Sequence, residues 1–177
     1  MSICNINNIF CLTALSSFAV VLATFPANAL PGQNISAVVK WAKTRPQLPP
    51  VLKYNSEVSG YDGTKGNLYF YVNVTSEKGS VTKEGITVSG DRSIKFANDN
   101  AKGVKLLEDI YNAGIANDFR NARSVAKVGR DTFYRGQKFG YITAEVQGGT
   151  NFQMIALGSL QKAIDDAKYC QTHQCDL

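Results

Sequence analysis

Residues 67–74 read NLYFYVNV. Leu68, Phe70, Val72 and Val74 alternate with Asn67, Tyr69, Tyr71 and Asn73. Successive side chains of an extended strand point to opposite faces, so the stretch predicts a strand with one apolar side and one tyrosine–amide side. The residues before it, GYDGTKGN at 60–67, bring Asp62-Gly63 and Lys65-Gly66. Such pairs supply the positive φ of a tight turn, so this segment reads as a hairpin connection. Strands joined by hairpin-length turns pair antiparallel.

The same reading extends in both directions. Toward the N-terminus, residues 51–59 alternate loosely and predict a strand. Before them Ile35, Val38, Val39 and Ala42 recur at one-face helical spacing, with Asn34 as N-cap and Arg45-Pro46 as the stop. Toward the C-terminus, Glu77–Ser80 is a turn, Ile86 and Val88 mark a strand, and Ile94 and Phe96 a short strand or extended segment. A helix is expected from Asn98 or Asp99, with Val104, Leu107, Ile110 and Tyr111 inward and a break at Gly114. A second helical segment then carries Ile115, Phe119, Ala122 and Ala126 inward and ends at Gly129. Strands follow at 131–135, 139–147 and 151–157. Ser159 opens a last helix with Leu160, Ala163, Ile164 and Ala167 on one face.

Strands grouped apart from helices define an α+β domain. The expected architecture is an antiparallel β-sheet of about six strands with helices packed mainly on one face. The two halves share an outline, and the hairpins GYDGTKGNLYFYVNV and YRGQKFGYITAEV resemble one another in pattern.

Residues 1–29 hold no Lys, Arg, Asp or Glu, and IFCLTALSSFAVVLATF at 9–25 is an apolar run ahead of Pro26 and Ala27-Asn28-Ala29. This is the layout of a cleaved secretory signal peptide, despite an n-region without a basic side chain. An uncleaved anchor is the alternative. The expected domain division is a signal peptide at 1–29 and a single α+β domain at 30–177 with a short disulfide-closed C-terminal tail. The expected location is secreted or periplasmic, with no transmembrane segment after cleavage. Cys4 and Cys11 leave with the signal. Cys170 and Cys175 remain, and an oxidising compartment joins them. A metal site made of Cys170, His173 and Cys175 falls short of the usual ligand count, and neither metal nor cofactor is expected.

The 177 residues are 44% hydrophobic and 19% charged, which excludes a disordered chain, collagen and a multi-span membrane protein. His173 is the single histidine, and no G-x-S-x-G, H-E-x-x-H, P-loop or Ca-loop pattern occurs. The net charge of +5 is too modest for a dedicated nucleic-acid binder, and no specific nucleic acid is expected. That charge is concentrated, however. Arg120, Arg123, Lys127, Arg130, Arg135 and Lys138 face only Asp131 in residues 119–138. Arg120, Arg123 and Lys127 fall on one side of the expected helix, and Arg130 follows Gly129. These four form a candidate anion-binding patch for an acidic polysaccharide, a lipid head group or an acidic protein. The competing reading is a solvated helix face. Tyr69 and Tyr71 form a candidate aromatic surface if no second layer covers them, and core packing if one does. Asn34 and Asn73 lie in glycosylation-type sequons.

Taken together, these features point to an exported, non-enzymatic binding or interaction domain for an anionic partner. The alternatives are a secreted hydrolase that works through Asp or Glu without histidine, and a structural envelope-associated protein. The signal-peptide expectation has a direct check. Intact mass of the protein exported by its native host should correspond to a chain starting at Leu30, and a mass retaining residues 1–29 would refute it.

Overall fold

The computed structural model describes residues 30–173 and 175; the expected signal peptide at 1–29 lies outside the described residues. The first unit is α1 (Ile35–Ala42) followed by β1 (Lys53–Asn55), β2 (Gly60–Lys65), β3 (Leu68–Val74) and β4 (Val81–Ser89). The second is α2 (Ala101–Ile110) and α3 (Ala113–Arg120), then β5 (Arg123–Val128), β6 (Asp131–Arg135), β7 (Phe139–Val146) and β8 (Gly149–Ala156). A 3-10 turn at Leu157–Ser159 leads into α4 (Leu160–Thr172). The protein is α+β. The eight strands of the described residues form one antiparallel sheet in the order β1-β2-β3-β4-β8-β7-β6-β5.

Each unit is a helical segment followed by a four-stranded meander, and the meanders meet through β4 and β8. The two hairpins that resemble one another in sequence occupy corresponding places. Residues 60–74 make β2 and β3, and residues 134–146 make the end of β6 and β7.

Two expectations are corrected. Residues 60–65 are not part of a turn but the strand β2, paired along its length with β3, and the turn shrinks to Gly66-Asn67. Gly63 is needed there because Pro49 and the Val51 carbonyl lie within 2.9 Å of where a Cβ would stand. The second error is larger. The helical segment expected to run to Gly129 ends at Arg120, where Asn121 caps it, and Arg123–Val128 is the strand β5. Phe119 and Ala122 are buried as expected, but Ser124-Val125 breaks the helical phase with a β-branched residue on a register-shifted strand. These two strands account for the sheet having eight members where about six were expected.

The N-caps follow side-chain chemistry. Asn34, Asn100 and Asn112 each accept a backbone N–H of the first turn of α1, α2 and α3. Ser159 precedes α4 but makes no such bond.

One face of the sheet packs against α1, α2 and α3 in the main core, which joins Val38 and Trp41 to Phe70 and Ile86, and Leu107 and Phe119 to Phe152. Phe119 lies at its centre, 5.3 Å from Tyr141 and 5.2 Å from Phe152 between ring centroids. On the opposite face α4 buries Leu160 and Ile164 against Val128, Phe133, Ile142 and Ile155. That helix packs on β5 and β6.

The main core contains one anomaly. Glu84, opposite Met154 in the β4–β8 pairing, is fully buried beneath Tyr111, and among the described residues neither of its carboxyl oxygens has a hydrogen-bond partner. Burial pushes its pKa well above the usual carboxylate range, and the Tyr111 hydroxyl opposes this only in part. The folded protein therefore holds this proton at pH values where the unfolded chain releases it. With more protons bound in the folded state, stability falls as pH rises above the ordinary Glu value of about 4.3. Glu84→Gln removes this titration. Its stability advantage over the wild type should widen with pH above that value, by at most about 1.4 kcal/mol per unit. Urea unfolding of both proteins across pH 4–8 checks it, and a pH-independent difference would refute it.

Candidate functional site

A cleft of about 680 Å³ opens on the helix side of the sheet, where the 95–97 segment faces the ends of β5–β8. Its floor carries the hydroxyls of Thr132, Thr143 and Thr150, with Phe96 and Tyr134 among the walls. Thr150 is fixed in place: its Oγ1 accepts from the Phe96 backbone N–H at 3.3 Å. Lys95, Lys127 and Arg130 line the cleft against a single carboxylate, Glu145. Lys95 pairs with Glu145 at 3.1 Å. Among the described residues, Lys127 and Arg130 have no carboxylate partner.

The strand assignment of 123–128 rearranges the basic patch. Arg120 ends α3 and donates to the Asn117 side-chain oxygen at 3.2 Å. Arg123 stands opposite Arg135 in the ladder, on the α4 side that it shares with Ala126 and Phe133. Lys127 stands opposite Thr132, on the cleft side. Arg130 lies in the β5–β6 turn beside Gly129, whose φ of +59° is a turn conformation that favours glycine. The four cations therefore share no helix face. They surround the outer strand of the sheet, and two of them reach the cleft.

On the other side of the sheet Tyr69 and Tyr71 are half-buried and stack at 5.7 Å. Tyr69 donates to Asp62 at 3.2 Å. Tyr71 lies across Gly85, where a Cβ would meet its ring at 2.3 Å. With Val58, Tyr61, Asn73 and Lys83 they line a small cleft of about 230 Å³. Beside it a groove of about 470 Å³ runs under α4, with Lys83, Asp131, Gln153, Asp166 and apolar residues of the second core. Burial lowers the Lys83 pKa and raises that of Asp131, and each charge opposes the other's shift. Asp166 is held by Lys162 one turn away.

Cys170 and Cys175 are joined, with their Cα atoms 5.3 Å apart, and close the end of α4. His173 stacks on Tyr169 at 4.0 Å. The threonine floor of the cleft and the Lys83–Asp131 pair were not singled out from sequence. Thr132, Thr143 and Thr150 lie on three strands, and no local pattern links them.

No family model, curated protein or solved structure matches the chain.

The Tyr71–Gly85 contact is testable through titration. Burial is the main reason the Tyr71 pKa is pushed up to about 12, with hydrogen bonds from Asn151 and Gln153 working against it. Gly85→Ala must displace the ring toward solvent, so the Tyr71 phenol should titrate nearer 10, its ordinary value. Carbon NMR of ring-labelled tyrosine follows this, and an unchanged Tyr71 titration in a folded variant would refute it.

Proposed function

We propose that this chain is an exported, non-enzymatic binding domain whose anionic partner is held at the cleft beside β5. The carrying observation is that Lys127 and Arg130, free of carboxylate partners among the described residues, line the same cleft as Thr132 and Thr143, whose side chains end in hydroxyls. Cations give the long-range attraction and hydroxyls donate to anionic oxygens at short range. The uncharged apolar run at 9–25 and the Ala27-Asn28-Ala29 site support export. Acid–base hydrolysis has less behind it. Of the two carboxylates that line the groove under α4, Asp166 is already paired with Lys162.

Heparin serves as the test polyanion. Lys127→Ala/Arg130→Ala should elute from a heparin column at clearly lower salt than the wild type. Retention of the wild type should itself fall steeply with salt, because the Debye length shrinks from about 10 Å at 0.1 M to about 3 Å at 1 M. Lys40→Ala/Lys43→Ala, on and just after α1 and remote in sequence from the cleft, should elute with the wild type. Equal elution of all three proteins would overturn the proposal.

A further inference from the structure

We infer that the outer strand β5 takes an acidic peptide segment by strand addition, with cations on both faces of the sheet holding the peptide's carboxylates. This rests on the anionic-partner reading and specifies the class of that partner.

Among the described residues the sheet order leaves β5 with a strand neighbour, β6, on one side only. The opposite edge strand, β1, has three residues, whereas β5 has six. Arg123, Ser124, Val125 and Lys127 are exposed along it. An unpaired edge of this length presents a row of backbone donors and acceptors ready to pair with another chain.

The charges are placed as an added strand would need them. Side chains of such a strand alternate between the two faces of the sheet. On the cleft face they would meet Lys127 and, at the turn, Arg130. On the α4 face they would meet Arg123 and Arg135, which stand opposite each other in the ladder. Among the described residues none of these four has a carboxylate partner. An anion confined to the cleft would leave Arg123 and Arg135 unused, because they face the other way. Val125, the extra residue of the register shift, is 43% exposed and offers one apolar contact in the middle of the edge.

A second copy of the chain fits this edge poorly. It would bring the same cations against themselves, and like charges facing each other across a strand pair are destabilising. Basic side chains and a register shift are also the means by which an edge resists self-pairing. An extended segment of opposite charge is the partner that such repulsion does not exclude. Backbone pairing would supply affinity, and the alternation of cations across the two faces would supply selectivity.

The test uses a short fluorescent poly-glutamate peptide and two N-methylated forms, one methylated at alternate positions, which keeps one hydrogen-bonding edge, and one methylated at every position, which keeps neither. All three carry the same charge. In an added strand alternate N–H groups point at the neighbour and the others at solvent. Fluorescence anisotropy at low salt should therefore show the fully methylated form binding about tenfold or more weaker and the alternately methylated form close to the parent. Equal binding of all three would overturn strand addition and leave the anionic-partner proposal standing. No peptide binding, with heparin retained through Lys127 and Arg130, would do the same. Absence of both peptide and heparin binding would overturn both. A homodimer paired through β5, seen by sedimentation and by concentration-dependent amide protection at 123–128, would also overturn the inference.

Discussion

The antiparallel pairing of β4 with β8 is the contact on which the rest depends. It joins seven residue pairs, from Lys83–Ile155 to Ser89–Gly149, and merges two four-stranded meanders into one sheet. Without it each meander would keep two free edges and half a core. With it, Ile86 and Phe152 meet at full burial and a single apolar layer extends beneath α1, α2 and α3. The same seam brings Gly85 opposite Gln153 and opens the surface on which Tyr71 lies. The pairing also runs between segments far apart in the chain, so closing it carries a loop-entropy cost that only the buried apolar layer offsets.

That seam carries an internal cost. Glu84 lies in it, fully buried and without a hydrogen-bond partner among the described residues, between Val72 on one neighbouring strand and Met154 on the other. A neutral carboxyl is the form this environment tolerates. Trp41 stacks on Tyr111 at 5.8 Å, and among the described residues the indole N–H and the Tyr111 hydroxyl also lack a partner. Three polar groups in one apolar layer mark the point where the core departs from simple apolar packing.

The two faces of the sheet are treated differently, and this sets the character of each surface. Three helices cover one face and leave the cleft where their coverage ends, near β5–β8. On the other face α4 packs on β5 and β6, and Tyr69, Tyr71 and Lys83 line small clefts beside it. Both surfaces reach toward the β5 side of the sheet. The basic residues are concentrated there, so the electrostatic character of that edge follows from topology as much as from composition.

The local order of elements was legible in the sequence wherever one periodicity was unambiguous. NLYFYVNV alternates, and its burial in the fold alternates residue for residue. Residues 35–42 repeat at helical spacing after a capping Asn, and they form α1 with that cap. Cys170 and Cys175 are five apart at a helix end, close enough to join. Legibility failed where two periods compete. Phe119, Ala122 and Ala126 match a helical face, but residues 123–128 pair with the next strand β6 through the turn at Gly129-Arg130, and ladder hydrogen bonds within this hairpin outweigh a weak helical preference. GYDGTK reads as turn because its glycines permit turns, and it is a strand because β3 and Pro49 require close approach there. The basic residues 120–130 were legible as a cluster, since charge density is a property of the chain. Which of them share a surface was decided only by the fold, because a strand sends Arg123 and Lys127 to opposite faces where a helix would have kept them together.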